Sequence, residues 1–208
     1  GSAVLSRWPL REARRIALPE RTDQSGVERY FYLKRALLVA RLDLPDADDL
    51  YVVTTHLEAF SKDDTKKRQL DVLKRELDAL DAAGRRFVMG GDLNMVPPGT
   101  VVLKDFPDEA CQDDPDFEPT DFAAEAGWID PLYDAYSPAV HLADYRRNNA
   151  PYFTHSTSKV HFWNRKLDYL FTNGAWVAGS ELTHQGLSSG GMDTMSLSDH
   201  APLTARLV

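Results

Sequence analysis

The architecture of this chain follows from the stretch Arg86-Phe87-Val88-Met89-Gly90-Gly91-Asp92-Leu93-Asn94. Its apolar run predicts a short buried strand, and the two glycines allow the backbone to turn sharply after it. Asp92 and Asn94 lie two residues apart, so in extended backbone both side chains point the same way. A carboxylate and a carboxamide on one face at a strand end can hold a water molecule and a phosphoryl oxygen side by side. A plain turn is the alternative, because Gly, Asp and Asn are common turn residues.

The preceding segment predicts a strand, a helix and a second strand in succession. Leu50-Tyr51-Val52-Val53-Thr54-Thr55 is typical of a strand buried on both faces, and it leads into His56. Leucines at spacings of three and four predict an amphipathic helix; they are Leu70, Leu73, Leu77 and Leu80. This order predicts a βαβ unit with His56 and Asp92 at the same ends of two parallel strands. The result is an α/β fold in which helices cover a sheet.

Other segments predict the helix boundaries, further strands and two long loops. Ser61 and Asp64 resemble a capping box at the start of the helix, and Gly84 fits its C-terminal stop. Residues 95–120 form an acidic loop insertion, a short helix is expected at 121–126, and residues 145–163 predict a long surface loop. Strands are predicted at Ala3–Leu10, Arg15–Pro19, Ala36–Leu44, Lys166–Thr172, Trp176–Leu182 and Ala201–Val208.

Length and composition indicate one domain over residues 1–208. The chain is 43% hydrophobic and 10% aromatic, which suffices for one well-packed core. The single cysteine, Cys111, excludes an intramolecular disulfide, and no run approaches the roughly 20 apolar residues of a membrane span. We expect a monomer. Because the sequence begins with Gly1 and Ser2 and not with Met, it assigns no compartment.

The negative charge is concentrated in the acidic insertion. Eight acidic residues and one basic residue lie between Met95 and Asp121, whereas the remaining 23 basic and 24 acidic residues nearly balance. Such a distribution lacks the basic footprint of proteins that bind a nucleic-acid backbone. The insertion follows Asn94 directly, so its charge would repel a polyanion over a Debye length of about 8 Å. We therefore expect a small or lipid-like phosphate ester, and not duplex DNA, as substrate.

Four ordered motifs carry the remaining chemistry: Thr55-His56-Leu57, Gly91-Asp92-Leu93-Asn94, Lys166-Leu167-Asp168-Tyr169 and Ser198-Asp199-His200. Together they resemble the endonuclease/exonuclease/phosphatase superfamily of metal-dependent phosphohydrolases, and Ala3–Pro9 is similar to a strand of that family. The resemblance implies a four-layer α/β/β/α sandwich with two mixed sheets. It also implies a divalent-metal-dependent hydrolase of phosphate esters, most directly a phosphodiesterase that acts by in-line attack of an activated water. Because members act on diverse esters, the fold does not name the substrate.

Catalytic roles follow from the resemblance one residue at a time. Asp92 matches the residue that orients or deprotonates the attacking water, and Asn94 matches the phosphate and water ligand beside it. His56 matches the second phosphate-contacting histidine or a general acid. His200 matches the histidine that touches the scissile phosphate. Asp168 matches the carboxylate that hydrogen-bonds this histidine and raises its pKa.

The resemblance also implies a metal ligand and a substrate contact. Asp199 matches the carboxylate that binds Mg²⁺ or Mn²⁺, hard cations suited to oxygen ligands. Lys166 stands where relatives often have an arginine, so we expect it, or the neighbouring Arg165, to contact substrate. The family's first strands, which carry an Asn and a metal-binding Glu, do not precede Ala3. We therefore expect the sequence as given to bind metal weakly and to hydrolyse slowly.

Two branches of the family and one non-catalytic alternative stay open. Thr55-His56-Leu57-Glu58 with Arg68-Gln69-Leu70 resembles the tyrosyl-DNA phosphodiesterases, whereas Thr54-Thr55-His56-Leu57 with Gly90-Gly91-Asp92-Leu93-Asn94 and Leu167-Asp168-Tyr169 also resembles the sphingomyelinases. A relative that only binds a phosphorylated ligand in the same cleft is the third possibility.

Several other residues have a functional interpretation and a structural one. Glu58 either lines the pocket or faces solvent. His155, His161 and His184 are expected to be ordinary surface histidines and not ligands. Phe153, Phe162 and Trp163 are expected to cap the core and not to form a substrate platform. The run Asp113–Glu118 is expected to be a solvated acidic loop and not a calcium site.

Overall fold

The computed structural model describes residues 1–45, 50–100, 124–156, 163–186 and 193–208. In chain order the elements are β1 (Leu10–Ala17), α1 (Gly26–Phe31), β2 (Ala36–Leu42), β3 (Leu50–His56), α2 (Thr65–Ala82), β4 (Arg86–Asp92), α3 (Asp130–Ala135), β5 (Ser137–Pro138), α4 (Leu142–Arg147), a 3₁₀ turn (Ala150–Tyr152), β6 (Asp168–Thr172), β7 (Leu182–Thr183) and β8 (Leu203–Thr204). This mixture confirms the predicted α/β class.

The main sheet has six strands in the order β1-β2-β3-β4-β6-β5, and β7 and β8 form a small second sheet. Strands β3 and β4 are parallel, and their register places His56 beside Asp92. The neighbouring pairs β2–β3 and β4–β6 are antiparallel. The predicted βαβ unit is therefore confirmed. Within the described ranges the sheets are one of six strands and one of two, and the four-layer arrangement stays a prediction.

Helix α2 covers one face of the main sheet. Its leucine stripe is buried, together with alternate residues of the central strands; the shared cluster includes Leu70, Leu73, Leu77, Leu80, Tyr51, Val53, Phe87 and Met89. The helix ends as predicted, because Gly84 takes a φ of +67° just beyond it. The predicted capping box is wrong, since the helix follows Asp64, which makes no side-chain capping bond.

The glycines of β4 serve close packing and not a turn, because the strand continues through both of them to Asp92. A Cβ atom on Gly91 would lie 2.0 Å from the carbonyl oxygen of Thr55 on β3, and one on Gly90 would lie 2.9 Å from Leu170 Cδ2 on β6. Gly91 is therefore required for the close approach of β3, whereas a side chain at position 90 would need only the flexible end of Leu170 to move.

Two predicted strands are wrong, and one predicted loop is partly structured. Residues 3–9 form no strand, because β2 ends at Leu42, opposite Leu10. Residues 176–182 turn at Gly179, whose φ is +68°, and Trp176 makes only an isolated bridge. The stretch 145–163 includes the end of α4 and the 3₁₀ turn. Most of the acidic insertion, with the calcium alternative, and most of the predicted 121–126 helix lie outside the described residues.

The aromatic residues of the 145–163 stretch pack into a second small core. Tyr145 and Phe153 are buried there, and Trp163 packs against them. Capping of the core is therefore confirmed for Phe153 and Trp163, whereas Phe162 lies outside the described residues. Where the structure describes the chain, it contains no helix long and apolar enough to cross a membrane.

Candidate active site

The parallel strands β3 and β4 end together and set two candidate catalytic residues side by side. His56 Nε2 lies 3.2 Å from Asp92 Oδ2. The Asp92 residue is only 8% exposed, whereas nearly half of the His56 side chain is exposed. The N–H of Leu57 donates to the Asp92 carbonyl oxygen at 2.9 Å and continues the pairing past the strand ends. Both residues are thus held by backbone hydrogen bonding.

Asn94 is positioned by a turn and not by extended backbone. Its φ is +51°, a left-handed conformation that Asn tolerates better than most residues. Its backbone N–H donates to Asp92 Oδ1 at 2.8 Å, and its side-chain amide donates to Asp92 Oδ2 at 3.3 Å and to the Leu57 carbonyl at 3.1 Å. The two side chains meet as expected, although the predicted route through a shared strand face is wrong.

Asp168 and His200 form a hydrogen-bonded pair on the other side of Asp92. Strand β6 runs antiparallel to β4, and its register places Asp168 beside Asp92. His200 Nδ1 lies 2.8 Å from Asp168 Oδ2, while its Nε2 lies 3.8 Å from Asp92 Oδ2. Thr154 Oγ1 accepts the backbone N–H of Asp168 at 3.0 Å and fixes the start of the strand.

Burial and neighbouring charges shift the pKa values of these groups apart. Burial, reinforced by the charge of Asp168, raises the pKa of Asp92 to about 7. Burial alone would lower the pKa of His200, but the Asp168 hydrogen bond and the surrounding carboxylates outweigh it and raise this pKa to about 9. Burial, with the positive charges of Arg35 and His200, lowers the pKa of His56 to about 4. A carboxylate base, an imidazolium and a neutral imidazole can therefore coexist near neutral pH.

Two predicted site residues stand apart from this group. Lys166 is 1% exposed; its ammonium donates to the main-chain oxygen of Asp168 at 2.9 Å and lies 4.7 Å from the centre of the Tyr169 ring. The structure therefore does not place this ammonium where a substrate would reach it. The Asp199 side chain is 72% exposed and lies 3.8 Å from His155 Nε2. It lies at the edge of the site.

Sequence reasoning missed His155, which is not an ordinary surface histidine. Its side chain is 18% exposed, and its ring centre lies 4.6 Å from that of His200. An isolated antiparallel bridge between the two residues brings them together. No local pattern signals such a contact. His184 is hydrogen-bonded to Thr204 at 3.0 Å, and His161 lies outside the described residues.

The sequence analysis did not single out Lys66, and it left two alternatives open for Glu58. Lys66 is fully buried, and it donates to the main-chain oxygen of Asn94 at 2.8 Å and to Glu125 Oε2 at 2.6 Å. A signal existed, because Lys66 falls four residues before Leu70 on the buried stripe of the helix. Glu58 is 1% exposed, so the solvent-facing alternative is wrong. It accepts a hydrogen bond from the Tyr32 hydroxyl at 2.7 Å.

The donor atoms at the site fit a divalent cation. Two groups of three each have ligand atoms within 4.8 Å of one another: Asp92, Asp168 and His200, and His155, Asp199 and His200. Carboxylates suit Mg²⁺ and Mn²⁺, while imidazole adds affinity for later transition metals. Asp199, the predicted ligand, belongs to the second group.

Four sequence motifs thus converge on one edge of a mixed sheet, and a family model accounts for their order. The model of the Endonuclease/Exonuclease/phosphatase family matches residues 1–200. The chain belongs to this family. Members of the family are hydrolases that act on phosphate esters, and they are typically dependent on divalent metals. No curated protein matches the sequence.

Solved structures of the family are similar in fold. An endonuclease/exonuclease/phosphatase from Beutenbergia cavernae is 22% identical, with a TM-score of 0.57 over 97% of this chain and 46% of its own. A mannosyl-6-phosphatase from Bacteroides thetaiotaomicron is 12% identical, with a TM-score of 0.60 over 97% and 67%. Truncated TDP2 from Caenorhabditis elegans is 16% identical, with a TM-score of 0.55 over 96% and 66%. The chain thus spans about half to two-thirds of these relatives, and identities this low establish the fold alone.

Proposed function

We propose that this chain is a divalent-metal-dependent hydrolase of phosphate esters, and specifically a phosphodiesterase that uses in-line attack of an activated water. One observation carries the proposal: Asp92 lies between two histidines, 3.2 Å from His56 and 3.8 Å from His200, and His200 is itself bonded to Asp168 at 2.8 Å. This set of a base, a cation and a neutral donor around one point is what attack on a phosphorus centre requires.

Asp92 is the general base of the proposed reaction. Because burial raises its pKa to about 7, its carboxylate can accept a proton from water near neutral pH. Asn94 holds this carboxylate through its backbone N–H at 2.8 Å, which fixes the direction in which a water could be bound. The water's oxygen would bond to phosphorus as its proton passes to Asp92, and the ester oxygen would leave on the opposite side.

The two histidines contact the phosphoryl oxygens in different protonation states. His200 is held cationic by Asp168, so it stabilises the negative charge that develops on the phosphoryl oxygens. His56 has a lowered pKa and is neutral at pH 7, so we assign it as a phosphate-contacting residue and not as the general acid. Asp199 would hold Mg²⁺ or Mn²⁺, which when bound neutralises phosphoryl charge. Lys166 is left without a substrate role.

We propose a small or lipid-like phosphodiester as the substrate. The acidic insertion begins after Asn94, and Glu125 lies just beyond it; Lys66 donates to both residues, at 2.8 Å and 2.6 Å. Two residues that flank the insertion, Asn94 and Glu125, are therefore both held by Lys66 beside the site. Its concentrated negative charge disfavours long polyanions there. Tight, steeply salt-dependent binding of duplex DNA would contradict this assignment.

The test is a panel of phosphodiesters and phosphomonoesters, assayed with Mg²⁺, with Mn²⁺ and with chelator. We expect metal-dependent hydrolysis of diesters, reduced about 100-fold or more by Asp92→Asn and by His200→Ala, and unaffected by His184→Ala. Hydrolysis of monoesters alone would change the proposed activity from phosphodiesterase to phosphatase. The fold is compatible with that activity, because the mannosyl-6-phosphatase has a similar fold. Ligand binding without turnover would indicate the non-catalytic alternative.

A further inference from the structure

A cleft opens beside His56 and Asp92, which are called the catalytic pair below. It has a volume of about 420 Å³, and His56 and Asp92 lie in its wall. Three basic residues from β1 and from the segment before β2 also line it: Arg15, Lys34 and Arg35. A group bound in this cleft would therefore lie next to the phosphoryl group at the catalytic pair.

Arg35 is buried in this cleft with incomplete hydrogen bonding. Its side chain is 9% exposed, and its Nε atom is fully buried without a hydrogen-bond partner in the parts of the chain that the structure describes. Nη1 makes a long contact of 3.5 Å to the His56 carbonyl oxygen. Buried guanidinium groups normally have their N–H donors satisfied, so Arg35 has donor capacity that the described protein groups do not use.

The carboxylate nearest to Arg35 forms an ion pair with it but does not satisfy its hydrogen bonding. Glu58 Oε2 lies 3.9 Å from Arg35 Nε, which is too far for a hydrogen bond. Glu58 Oε1 lies 3.9 Å from Arg21 and already accepts bonds from Tyr32 and from two backbone N–H groups. Arg21 is itself paired with Asp23 at 2.8 Å, so Glu58 is the carboxylate that faces Arg35, at ion-pair distance and without a hydrogen bond.

The other two basic residues of the cleft, Lys34 and Arg15, differ in whether a carboxylate pairs with them. Lys34 is paired with Glu20 at 2.7 Å and so adds little charge. Arg15 donates to the main-chain oxygen of Lys34 at 3.4 Å and has no ion pair with any carboxylate of the described ranges. Arg15 therefore supplies positive charge without a carboxylate partner, and Arg35 supplies guanidinium donors to which Glu58 is not hydrogen-bonded. Guanidinium groups bind phosphate oxygens with paired, charge-assisted hydrogen bonds.

We propose that this cleft is an anion subsite in which Arg15 and Arg35 bind a second phosphate group of the substrate, next to the phosphoryl group that reacts at Asp92. The inference rests on the proposed function and narrows its substrate to small esters that carry another phosphate. It is compatible with the acidic insertion, which opposes long polyanions but leaves a short, doubly charged ligand able to enter.

The first test compares binding of orthophosphate and pyrophosphate by calorimetry, in buffer without divalent ions. We expect the full chain to bind pyrophosphate about tenfold or more tightly than orthophosphate, since each charge-assisted hydrogen bond is worth about that much. Arg35→Met and Arg15→Met should each remove most of this preference. Arg11→Met is the matched control, because Arg11 is an exposed arginine of β1, the strand that carries Arg15, and it pairs with Asp43 at 3.2 Å.

Equal affinities in the wild type, or an unchanged preference in Arg35→Met, would overturn the subsite. If Arg35→Met does not fold, the exposed Arg15→Met decides the same question, since removal of that side chain leaves the core intact. Arg35→Lys, which keeps the charge but loses the paired donors, should retain only part of the preference.

The second test separates this subsite from the proposed function. Thymidine 5′-(4-nitrophenyl phosphate) is compared with the same ester carrying a 3′-phosphate, in the presence of Mg²⁺. We expect kcat/KM about tenfold higher for the 3′-phosphorylated ester, and loss of the difference in Arg35→Met. Equal values would overturn the subsite. Hydrolysis of neither ester, with the pyrophosphate preference intact, would support the subsite and overturn the proposed function.

Discussion

The ammonium of Lys66 donates a hydrogen bond of 2.8 Å to the main-chain oxygen of Asn94, the residue that holds Asp92. The same ammonium donates to both carboxylate oxygens of Glu125, at 2.6 Å and 2.7 Å. The left-handed conformation of Asn94, which this residue type tolerates, is held in place by the hydrogen bond that its main-chain oxygen accepts from Lys66. Lys66 is thus a positioning residue between helix α2 and the catalytic carboxylate.

Lys66→Met should lower kcat about tenfold or more while KM changes little, because Asn94 would no longer fix the Asp92 carboxylate. It should also destabilise the fold by about 3 kcal/mol, because Glu125 would lose its buried partner. Lys67→Met is the control, since Lys67 is exposed and pairs only with Asp71 on the helix surface. Steady-state kinetics and urea unfolding measure both effects.

A double variant distinguishes positioning from stability. Lys66→Met combined with Glu125→Leu removes both buried charges, so it should recover most of the lost stability. The kcat should stay low, because the Asn94 carbonyl would still lack its donor. Recovery of kcat together with stability would show that Lys66 acts only through folding.

These contacts illustrate what the sequence could and could not predict. The pairing of His56 with Asp92 follows from two short apolar runs and one amphipathic helix, so local periodicity suffices to predict it. His155 approaches His200 through an isolated β-bridge between segments that lie 45 residues apart in the sequence, and no local pattern encodes this contact. Gly91 was assigned to a turn because its role, the approach of Thr55, depends on the neighbouring strand. The roles of His155 and Gly91 thus depend on packing between distant segments, which is why sequence reasoning missed them.

The pH dependence of activity should follow two groups with opposite requirements. Asp92 acts when deprotonated, so the rate should rise with pH through about 7; His200 acts when protonated, so the rate should fall through about 9. Asp168→Asn removes the carboxylate that raises both pKa values, so both limbs should move to lower pH, by about one unit or more. The profile of kcat/KM measures this shift. Asp144→Asn, a surface change beside Arg147, should leave the profile unchanged, and an unmoved alkaline limb in Asp168→Asn would contradict the His200 assignment.

Gly91→Ala should destabilise the fold strongly. A methyl group there would lie 2.0 Å from the Thr55 carbonyl oxygen, and the backbone of two central parallel strands cannot shift away without breaking their pairing. We expect a loss of about 3 kcal/mol in the free energy of unfolding, at the upper end for overpacking. Gly26→Ala is the matched control, because a methyl group at that position meets no atom within 4 Å. Urea unfolding of the two variants decides the point, and equal stabilities would mean that the strands lie further apart than described.

Metal binding should depend on Asp199 and His155 together. Their ligand atoms lie 3.8 Å apart, within the span of about 4.2 Å that two ligand bonds to one ion allow. His155 Nδ1 is buried and has no hydrogen-bond partner in the described part of the chain. The other ring nitrogen, Nε2, is the one that faces Asp199. Mn²⁺ bound there should show nitrogen hyperfine coupling in pulsed electron paramagnetic resonance, and His155→Gln should remove the part of that coupling that comes from His155, leaving the part that comes from His200. Asp199→Asn should weaken Mn²⁺ binding about tenfold or more, whereas His184→Gln should change neither property. Nitrogen coupling unchanged in His155→Gln, together with Mn²⁺ affinity unchanged in Asp199→Asn, would place the ion instead among Asp92, Asp168 and His200, the other group whose ligand atoms are close enough to share it.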